Sequence, residues 1–181
     1  MNPSSDPVQP RAPRTHRPSR TPRSTYDRAL DMLESRARSV IELRRALIKK
    51  GEPALDVDAA IERLRAAGLL DDANYARQLA RSKAIGAGQS RRRIAQELAR
   101  RGVARTVGDE AIAAVFDEEA VDEDANIERV ARKKMKTLAK LDAQVQRRRL
   151  YAFLARRGYD VDAIGQIVGR LTGEALEARG E

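Results

Sequence analysis

The segment SRRRIAQELARRG, residues 90–102, decides the fold, because the chain contains two further segments of the same pattern. They are SVIELRRALIKKG, residues 39–51, and QRRRLYAFLARRG, residues 146–158. Each segment ends in a glycine, and aliphatic residues stand eight and four positions before it: Leu43 and Leu47, Ile94 and Leu98, Leu150 and Leu154. Positions four apart share one face of a helix, and glycine suits the left-handed residue that follows a helix. The pattern therefore predicts three copies of one helix.

The three copies differ in how they start. Ser39 and Glu42 have the spacing of a capping box, in which each side chain satisfies a backbone N–H of the first turn. Ser90 takes the same place in the second copy without the glutamate, and Gln146 takes it in the third. We expect Gln146 to be the poorest cap, because glutamine is not among the residues preferred there.

One predicted helix precedes each of the three segments, and another follows it. The preceding helices cover residues 26–37, 72–85 and 123–139, and the following ones cover residues 56–68, 106–116 and 160–171. No stretch alternates apolar and polar residues in the manner of a β-strand. We therefore expect an all-α fold of three tandem three-helix repeats. Units this small have little core of their own, so stacking them end to end predicts an elongated, curved molecule.

The predicted boundaries divide the chain into five parts. Residues 1–25 are rich in proline and arginine and almost free of apolar residues, so we expect a disordered basic tail. Repeat 1 covers residues 26–70, repeat 2 residues 71–119 and repeat 3 residues 120–173, and residues 174–181 form a flexible C-terminus. The tail is interpreted as a solubilising extension or an anion-binding arm. Its prolines argue against a transit peptide, which needs an amphipathic helix.

Composition argues against most kinds of catalytic site. The chain has no cysteine, and its one histidine, His16, lies in the predicted tail. A disulfide framework and a thiolate metal site are excluded, and the chain carries no HExxH, P-loop or dinucleotide-binding glycine pattern. The acidic run at residues 117–124 could bind Mg²⁺, but an acidic linker or helix N-terminus is the preferred interpretation. We therefore expect a protein that is not an enzyme and uses no cofactor or metal.

Two further absences bear on localisation. No apolar run approaches the roughly 20 residues that span a bilayer. No signal peptide is visible, because the first apolar stretch comes well after the start of the chain. These observations predict a cytoplasmic protein without a membrane partner.

Positive charge indicates the class of partner. The net charge is +9, of which the predicted tail contributes +4 and the remainder of the chain +5. Such an excess favours nucleic acid or an acidic protein surface. Within the second and third copies, the buried aliphatic pairs leave arginines on the opposite side of the helix at about 100° per residue.

Nine cations form the predicted basic face. Arginine suits planar, bidentate contact with phosphate or carboxylate. An ordinary solvated helix face is the alternative interpretation of such a charge run. The members are Arg92, Arg93, Arg100, Arg148, Arg149 and Arg156 from the glycine-ended segments, with Lys133, Lys134 and Lys136 from the preceding helix.

The junction between repeats 1 and 2 carries a family resemblance. Its sequence GLLDDANYA, residues 68–76, resembles the glycine–apolar–Asp-Asp–x-x–aromatic-Ala signature of the RecX family of recombinase regulators. The likeness covers about residues 26–172 and is weaker in the third repeat. We expect the signature residues to be structural, with a glycine ending a helix, leucines buried at the junction, an aspartate capping the next helix and a tyrosine packed on it. They are Gly68, Leu70, Asp71, Asp72, Tyr75 and Gly102, with Leu69 beside them.

The resemblance implies both a shape and a partner. RecX proteins fold as three tandem three-helix repeats in a curved form and bind the RecA filament on single-stranded DNA, lodging in its helical groove. They thereby restrain filament growth, ATP hydrolysis, strand exchange and the promotion of repressor cleavage. The resemblance implies no active site, and we expect a monomer. The alternative is a direct DNA-binding protein that places one helix of a three-helix unit in the major groove.

Overall fold

A computed structural model describes the backbone of residues 23–180 and the side chains of residues 23–173. Within that range it contains helices and no strand, which confirms the all-α prediction. The helices are α1 Thr25–Ser35, α2 Val40–Lys49, α3 Ala54–Ala66, α4 Asp72–Arg81, α5 Arg91–Arg100, α6 Arg105–Glu118, α7 Glu123–Leu138, α8 Ala143–Arg156 and α9 Val161–Gly180. A π-helical turn, Ser82–Gly86, continues α4.

Both ends of the helical region extend further than the sequence indicates. Helix α1 begins inside the predicted tail, because Ser24 and Asp27 form a capping box around its first turn. Residues 1–22 of that tail, with His16, and Glu181 lie outside the described residues. Helix α9 continues to Gly180, through the segment expected to be flexible from residue 174. That segment reads EALEARG, and alanine, leucine, glutamate and arginine are strong helix formers.

Each repeat has a hydrophobic core of its own. The cores centre on the aliphatic pairs of α2, α5 and α8, whose six side chains are at most 1% exposed. Burying one such leucine or isoleucine contributes about 1.5–3 kcal/mol. The periodicity read from the sequence is therefore confirmed, and it fixes the inward face of each central helix.

The predicted serine caps are present at two of the three central helices. Ser39 forms the full capping box with Glu42, and Ser90 accepts a hydrogen bond from the Arg93 N–H. The prediction for Gln146 is wrong, because α8 begins one turn earlier, after Asp142. Gln146 lies inside the helix with a buried amide.

A buried hydrogen-bond network explains the early start of α8. The Nε2 of Gln146 donates to the carbonyl oxygens of Leu138 and Leu141, at 3.1 and 2.9 Å. These carbonyls belong to the end of α7 and to the connection into α8. A serine at this position is too short to reach them. In the third copy the residue at this position therefore holds the connection between α7 and α8 instead of capping a helix.

Consecutive repeats are joined through their central helices. The end of α5 packs on the start of α2, and the end of α8 packs on the start of α5. Ser90 Oγ donates to the Gly158 carbonyl at 2.7 Å, and Ser39 Oγ donates to the Arg101 carbonyl. A Cβ added to Gly158 would lie 2.6 Å from the Cβ of Arg93. The close approach of α8 to α5 therefore requires glycine at the end of α8.

Tyr75 links the first junction to a partly buried charge network. Its hydroxyl donates to Glu42 Oε2 at 3.0 Å and accepts from Arg101 Nη1 at 2.8 Å. Burial raises the pKa of Tyr75. Burial alone would also raise the pKa of Glu42, but hydrogen bonds from Arg36, the Ser39 N–H and Tyr75 hold it below its usual value.

The remaining signature residues lie at helix ends, in the core and at the first junction. Gly68 has a φ of +67°, Leu70 is buried, and Asp71 caps α4 by accepting from two backbone N–H groups. Asp72 reaches across the junction to accept from the Val40 N–H at 2.9 Å. Leu69 was expected to be buried but is 54% exposed, and only Leu70 of the two leucines joins the core of repeat 1.

The second junction uses the segment of residues 84–88, which begins in the π-helical turn after α4 and runs two residues beyond it. Its backbone carbonyls point toward repeat 3, and side chains of that repeat donate to them. The pairs are Asn126 to Ala84 O, Arg129 to Ile85 O, Arg157 to Ala87 O and Tyr159 to Gly88 O, at 3.0–3.3 Å. This segment therefore supplies backbone acceptors that hold repeat 3 against repeat 2.

Candidate partner-binding surface

Positive charge is concentrated in repeat 3. Repeats 1 and 2 each contain nine Lys and Arg against eight Asp and Glu, whereas repeat 3 contains twelve against seven. Repeat 3 thus has a net charge of +5 and each of the others +1. A field of this kind attracts a polyanionic partner to one end of the array.

Among the described side chains, helix α8 carries four arginines that have no ion pair. Arginines of the first two repeats commonly face a carboxylate, as in Arg44 with Asp58 and Arg77 with Glu118, both at 2.9 Å. Helix α8 contains no acidic residue, and its four arginines are exposed without an ion pair among the described side chains. Their charge is therefore available to an outside partner. They are Arg147, Arg148, Arg149 and Arg156.

Phe153 joins α7 to α8 within this basic region. The Lys134 Nζ lies 5.5 Å from the centre of its ring, and the Arg157 guanidinium carbon lies 3.6 Å from it. Burial lowers the pKa of Arg157. Arg149 and Arg156 lie four before and three after Phe153, on the same side of the helix. The structure thus places Lys134 beside the side of α8 that holds Phe153. Lys133 and Lys136 are exposed on α7.

The α5 part of the predicted basic face is divided. Arg100 is exposed, as expected. The Nε of Arg92 donates to the Gly158 carbonyl at 3.3 Å, so this side chain is partly engaged in the junction. The expectation that Arg93 points to solvent is wrong, because the end of α8 packs against it. Its Nε is buried and has no hydrogen-bond partner within the described part of the chain.

The acidic run between repeats 2 and 3 is engaged with neighbouring residues. Glu118 and Glu119 pair with Arg77 and Arg81, and Asp122 caps α7. These contacts fit the interpretation as an acidic linker and helix start. The described residues contain no group of His, Cys, Asp and Glu that could hold a metal ion. Among the helices described here, none combines the length and apolar character needed to cross a membrane.

A shallow groove on α8 escaped the sequence analysis. It has a volume of about 490 Å³ and is lined by Gln144, Val145, Arg147, Arg148 and Tyr151. Tyr151 is 41% exposed. The sequence did distinguish Tyr151, because the aligned positions in the first and second copies hold Arg44 and Ala95.

Comparison with known proteins extends these observations. Models of the first, second and third three-helix domains of RecX match residues 26–64, 71–112 and 122–168. The regulatory protein RecX of Mycobacterium avium is 38% identical over 158 residues, which cover 86% of this chain and 88% of that protein. The RecX of Pelodictyon phaeoclathratiforme is 33% identical over 73% of this chain and 79% of its own length.

Solved structures show the same fold. The crystal structure of RecX from Lactobacillus salivarius superposes with a TM-score of 0.62 at 19% identity, covering 81% of this chain and 94% of that one. A second crystal structure, of a regulatory protein RecX, gives 0.64 at 21% identity, covering 79% of this chain and 70% of the other. At such identities the likeness concerns the fold alone.

The fold and the surface define a tandem helical-repeat protein with a strongly basic last repeat. The chain belongs to the RecX family of regulatory proteins, since the three domain matches cover most of its length and relatives are up to 38% identical.

Proposed function

We propose that this protein regulates a RecA-type recombinase by binding its filament on single-stranded DNA. The binding restrains filament growth, ATP hydrolysis, strand exchange and coprotease activity. The protein acts as a monomer in the cytoplasm, where such filaments form, and catalyses no reaction of its own. Family membership supports this proposal, and so does the composition, which offers no catalytic cysteine or histidine in the repeats.

One observation carries the choice of surface. The exposed arginines of α8 have no ion pair within the described structure, and the exposed lysines of α7 lie on the preceding helix of the same repeat. A filament of recombinase on DNA presents phosphates and carboxylates at repeating intervals. Arginine can contact either group with two parallel hydrogen bonds. Several arginines along one helix therefore suit a helical polyanion, whose anionic groups repeat, better than they suit an isolated acidic group.

Restraint follows from binding several subunits at once. A repeat array offers contacts along its length, and linked contacts gain affinity from high effective concentration. Once bound across neighbouring recombinase subunits, the array would hold them in one arrangement. Steps that require the subunits to move, such as nucleotide turnover and subunit addition, would then slow.

The test is to titrate the protein into the recombinase of the same organism on single-stranded DNA and to follow ATP hydrolysis. Inhibition should be saturable. Reversing the charge of Arg148, Arg149 and Arg156 to glutamate should raise the half-inhibiting concentration about tenfold or more, because three contacts to anions become repulsive. Arg92 and Arg93 are left unchanged, since they contribute to the second junction.

The matched control reverses three exposed cations of repeat 1. Arg45, Lys49 and Lys50 also lie in a glycine-ended segment and have no ion pair among the described side chains. Their reversal changes the net charge by the same amount and should leave inhibition nearly intact. Circular dichroism checks that both variants keep their helicity. Equal inhibition by the α8 variant and the unmodified protein would refute the proposed surface.

A further inference from the structure

Five of the six aromatic residues of this chain are engaged by neighbours. Tyr75 and Tyr159 are buried, and their hydroxyl groups hydrogen-bond across the two junctions. The rings of Tyr26, Phe116 and Phe153 each lie under an arginine, with the guanidinium carbon 4.0, 4.1 and 3.6 Å from the ring centre. Aromatic surface in this protein is therefore regularly covered by a cation or by the core.

Tyr151 is the exception among the aromatic residues, all of which fall within the described range. Its side chain is 41% exposed, no cation covers its ring, and its hydroxyl has no hydrogen bond within that range. The ring lines the α8 groove beside two arginines that have no ion pair. Exposed aromatic surface flanked by free positive charge is suited to a ligand that is both flat and anionic.

We propose that the α8 groove binds single-stranded nucleic acid, with one base stacked on the Tyr151 ring and phosphates contacting Arg147 and Arg148. Tyr151 follows these arginines by four and three residues, so the three side chains project from adjacent turns on one side of the helix. Stacking of bases on aromatic rings combined with basic side chains along the backbone is the general physics of single-strand binding.

The ring selects this ligand over two others. An acidic peptide would satisfy the arginines and leave the exposed ring without a partner. A duplex offers phosphates but keeps its bases stacked on one another, so no base face reaches the ring. A single strand presents both groups together, and the open, shallow form of the groove admits a base from the side.

This inference goes beyond regulation of a recombinase filament, because it concerns nucleic acid alone. It is therefore tested without any recombinase. Failure of nucleic-acid binding would leave the filament proposal standing, and failure of ATPase inhibition would leave this one standing.

The absence of tryptophan from the chain supplies a direct probe. In the full-length Tyr151→Trp variant the new indole is the only one, and a stacked base should quench its fluorescence. Titration with oligothymidine should give saturable quenching. The control is Leu55→Trp, at a site that is 84% exposed in repeat 1 and outside the groove, where quenching should be absent. Equal quenching at both positions would overturn the proposal.

Substitutions then separate stacking from charge. Tyr151→Ala should weaken oligothymidine binding roughly tenfold, whereas Tyr151→Phe, which keeps the ring, should bind normally. Removing the two arginines together, as Arg147→Ala with Arg148→Ala, should lower the magnitude of the logarithmic salt dependence by about 1.4. All of these side chains are exposed, so the fold should be unaffected.

The ligand is varied in the same assay. An abasic deoxyribose phosphate of equal length keeps the charge and loses the bases, and polyglutamate represents an acidic peptide. Both should bind more weakly than oligothymidine, and Tyr151→Ala should not weaken them further. If either ligand equals oligothymidine, or if Tyr151→Ala leaves oligothymidine binding unchanged, the site does not recognise a base and the proposal is wrong.

Discussion

Repeat 1 and repeat 3 share one helical arrangement but present different charge. The central helix of repeat 1 contains Glu42 among its cations, whereas that of repeat 3 has four arginines and no carboxylate. Both helices bury an aliphatic pair at the same positions, Leu43 with Leu47 and Leu150 with Leu154, all fully buried. The inward positions therefore specify the repeat, and the outward positions are free to specify a partner.

The two repeats also differ at the end of the central helix. Gly158 is packed against repeat 2, whereas a Cβ added to Gly51, at the end of α2, would meet nothing within 4 Å among the described residues. One glycine is required by a junction and by its backbone angle, the other by its backbone angle alone. This difference teaches that the same motif residue can serve packing in one copy and chain geometry in another.

The largest effect should come from the shared inward positions. Leu43→Ala and Leu150→Ala each remove a side chain that is 0% exposed, and each should lower the free energy of unfolding by about 2–5 kcal/mol. Urea titration followed by circular dichroism measures the change. If the arrangement is equivalent in the two repeats, the two losses should agree within about a factor of two. A loss confined to one repeat would contradict the equivalence.

Substitution of the glycines that end the central helices should cost different amounts of stability in different repeats. Gly51→Ala imposes the left-handed backbone penalty of about 1–2 kcal/mol, because its φ is +86° in open space, and the smaller freedom of alanine in the unfolded chain offsets about 0.5–1 kcal/mol of it. The net loss should therefore be about 0.5 kcal/mol. Gly102→Ala adds an overlap, since its Cβ would lie 2.5 Å from the Ile41 Cβ, and should cost about 1–3 kcal/mol more. The same assay compares them. Equal losses at Gly51 and Gly102 would mean that the junction adjusts without cost.

The contrast between inward and junction residues shows how far the sequence reaches. The aliphatic pairs and Ser39 were predictable, because their signal lies within one or two helical turns. The packing of Arg93 in the second junction was not predictable, because it depends on Gly158, which is 65 residues away in the chain and adjacent in space. Helical periodicity places a side chain on a side of its helix and contains no information about which repeat packs there.

The candidate surface shows the same limit. The sequence shows directly that α8 is basic. Which of its arginines lack a carboxylate partner depends on the neighbouring helices. The exposure of Tyr151 could not be predicted, because a lone tyrosine in a helix can lie in the core or at the surface. In the structure Tyr151 is 41% exposed, while Gln146, five residues earlier, faces inward.

A smaller effect should sharpen the comparison at the first junction. Tyr75→Phe removes the hydrogen bond to Glu42 together with the one from Arg101, and should lower the free energy of unfolding by about 1–2 kcal/mol near pH 7. Tyr151→Phe in repeat 3 is the matched control and should have no effect, because that hydroxyl has no hydrogen bond among the described residues. Denaturant titration of both variants measures the difference.

The loss at Tyr75 should depend on pH in a defined direction. The pKa of Glu42 is lowered in the folded protein from an ordinary value of 4.5, so its contribution is fully present above that value. The contribution disappears as the pH falls through the lowered pKa. The difference between Tyr75→Phe and the unmodified protein should therefore shrink below pH 4.5. A difference that grows on acidification would exclude Glu42 as the cause.

The smallest effect concerns the connections that lead into repeats 2 and 3. Gly68 and Ala120 hold the corresponding left-handed positions, with φ of +67° and +47°. The left-handed conformation costs alanine about 1–2 kcal/mol, and glycine loses about 0.5–1 kcal/mol through greater freedom of the unfolded chain. Ala120→Gly should therefore raise the free energy of unfolding by about 0.5 kcal/mol, and Gly68→Ala should lower it by a similar amount. Opposite signs in one urea series would show that both connections require the same backbone angle, although only one has the residue suited to it.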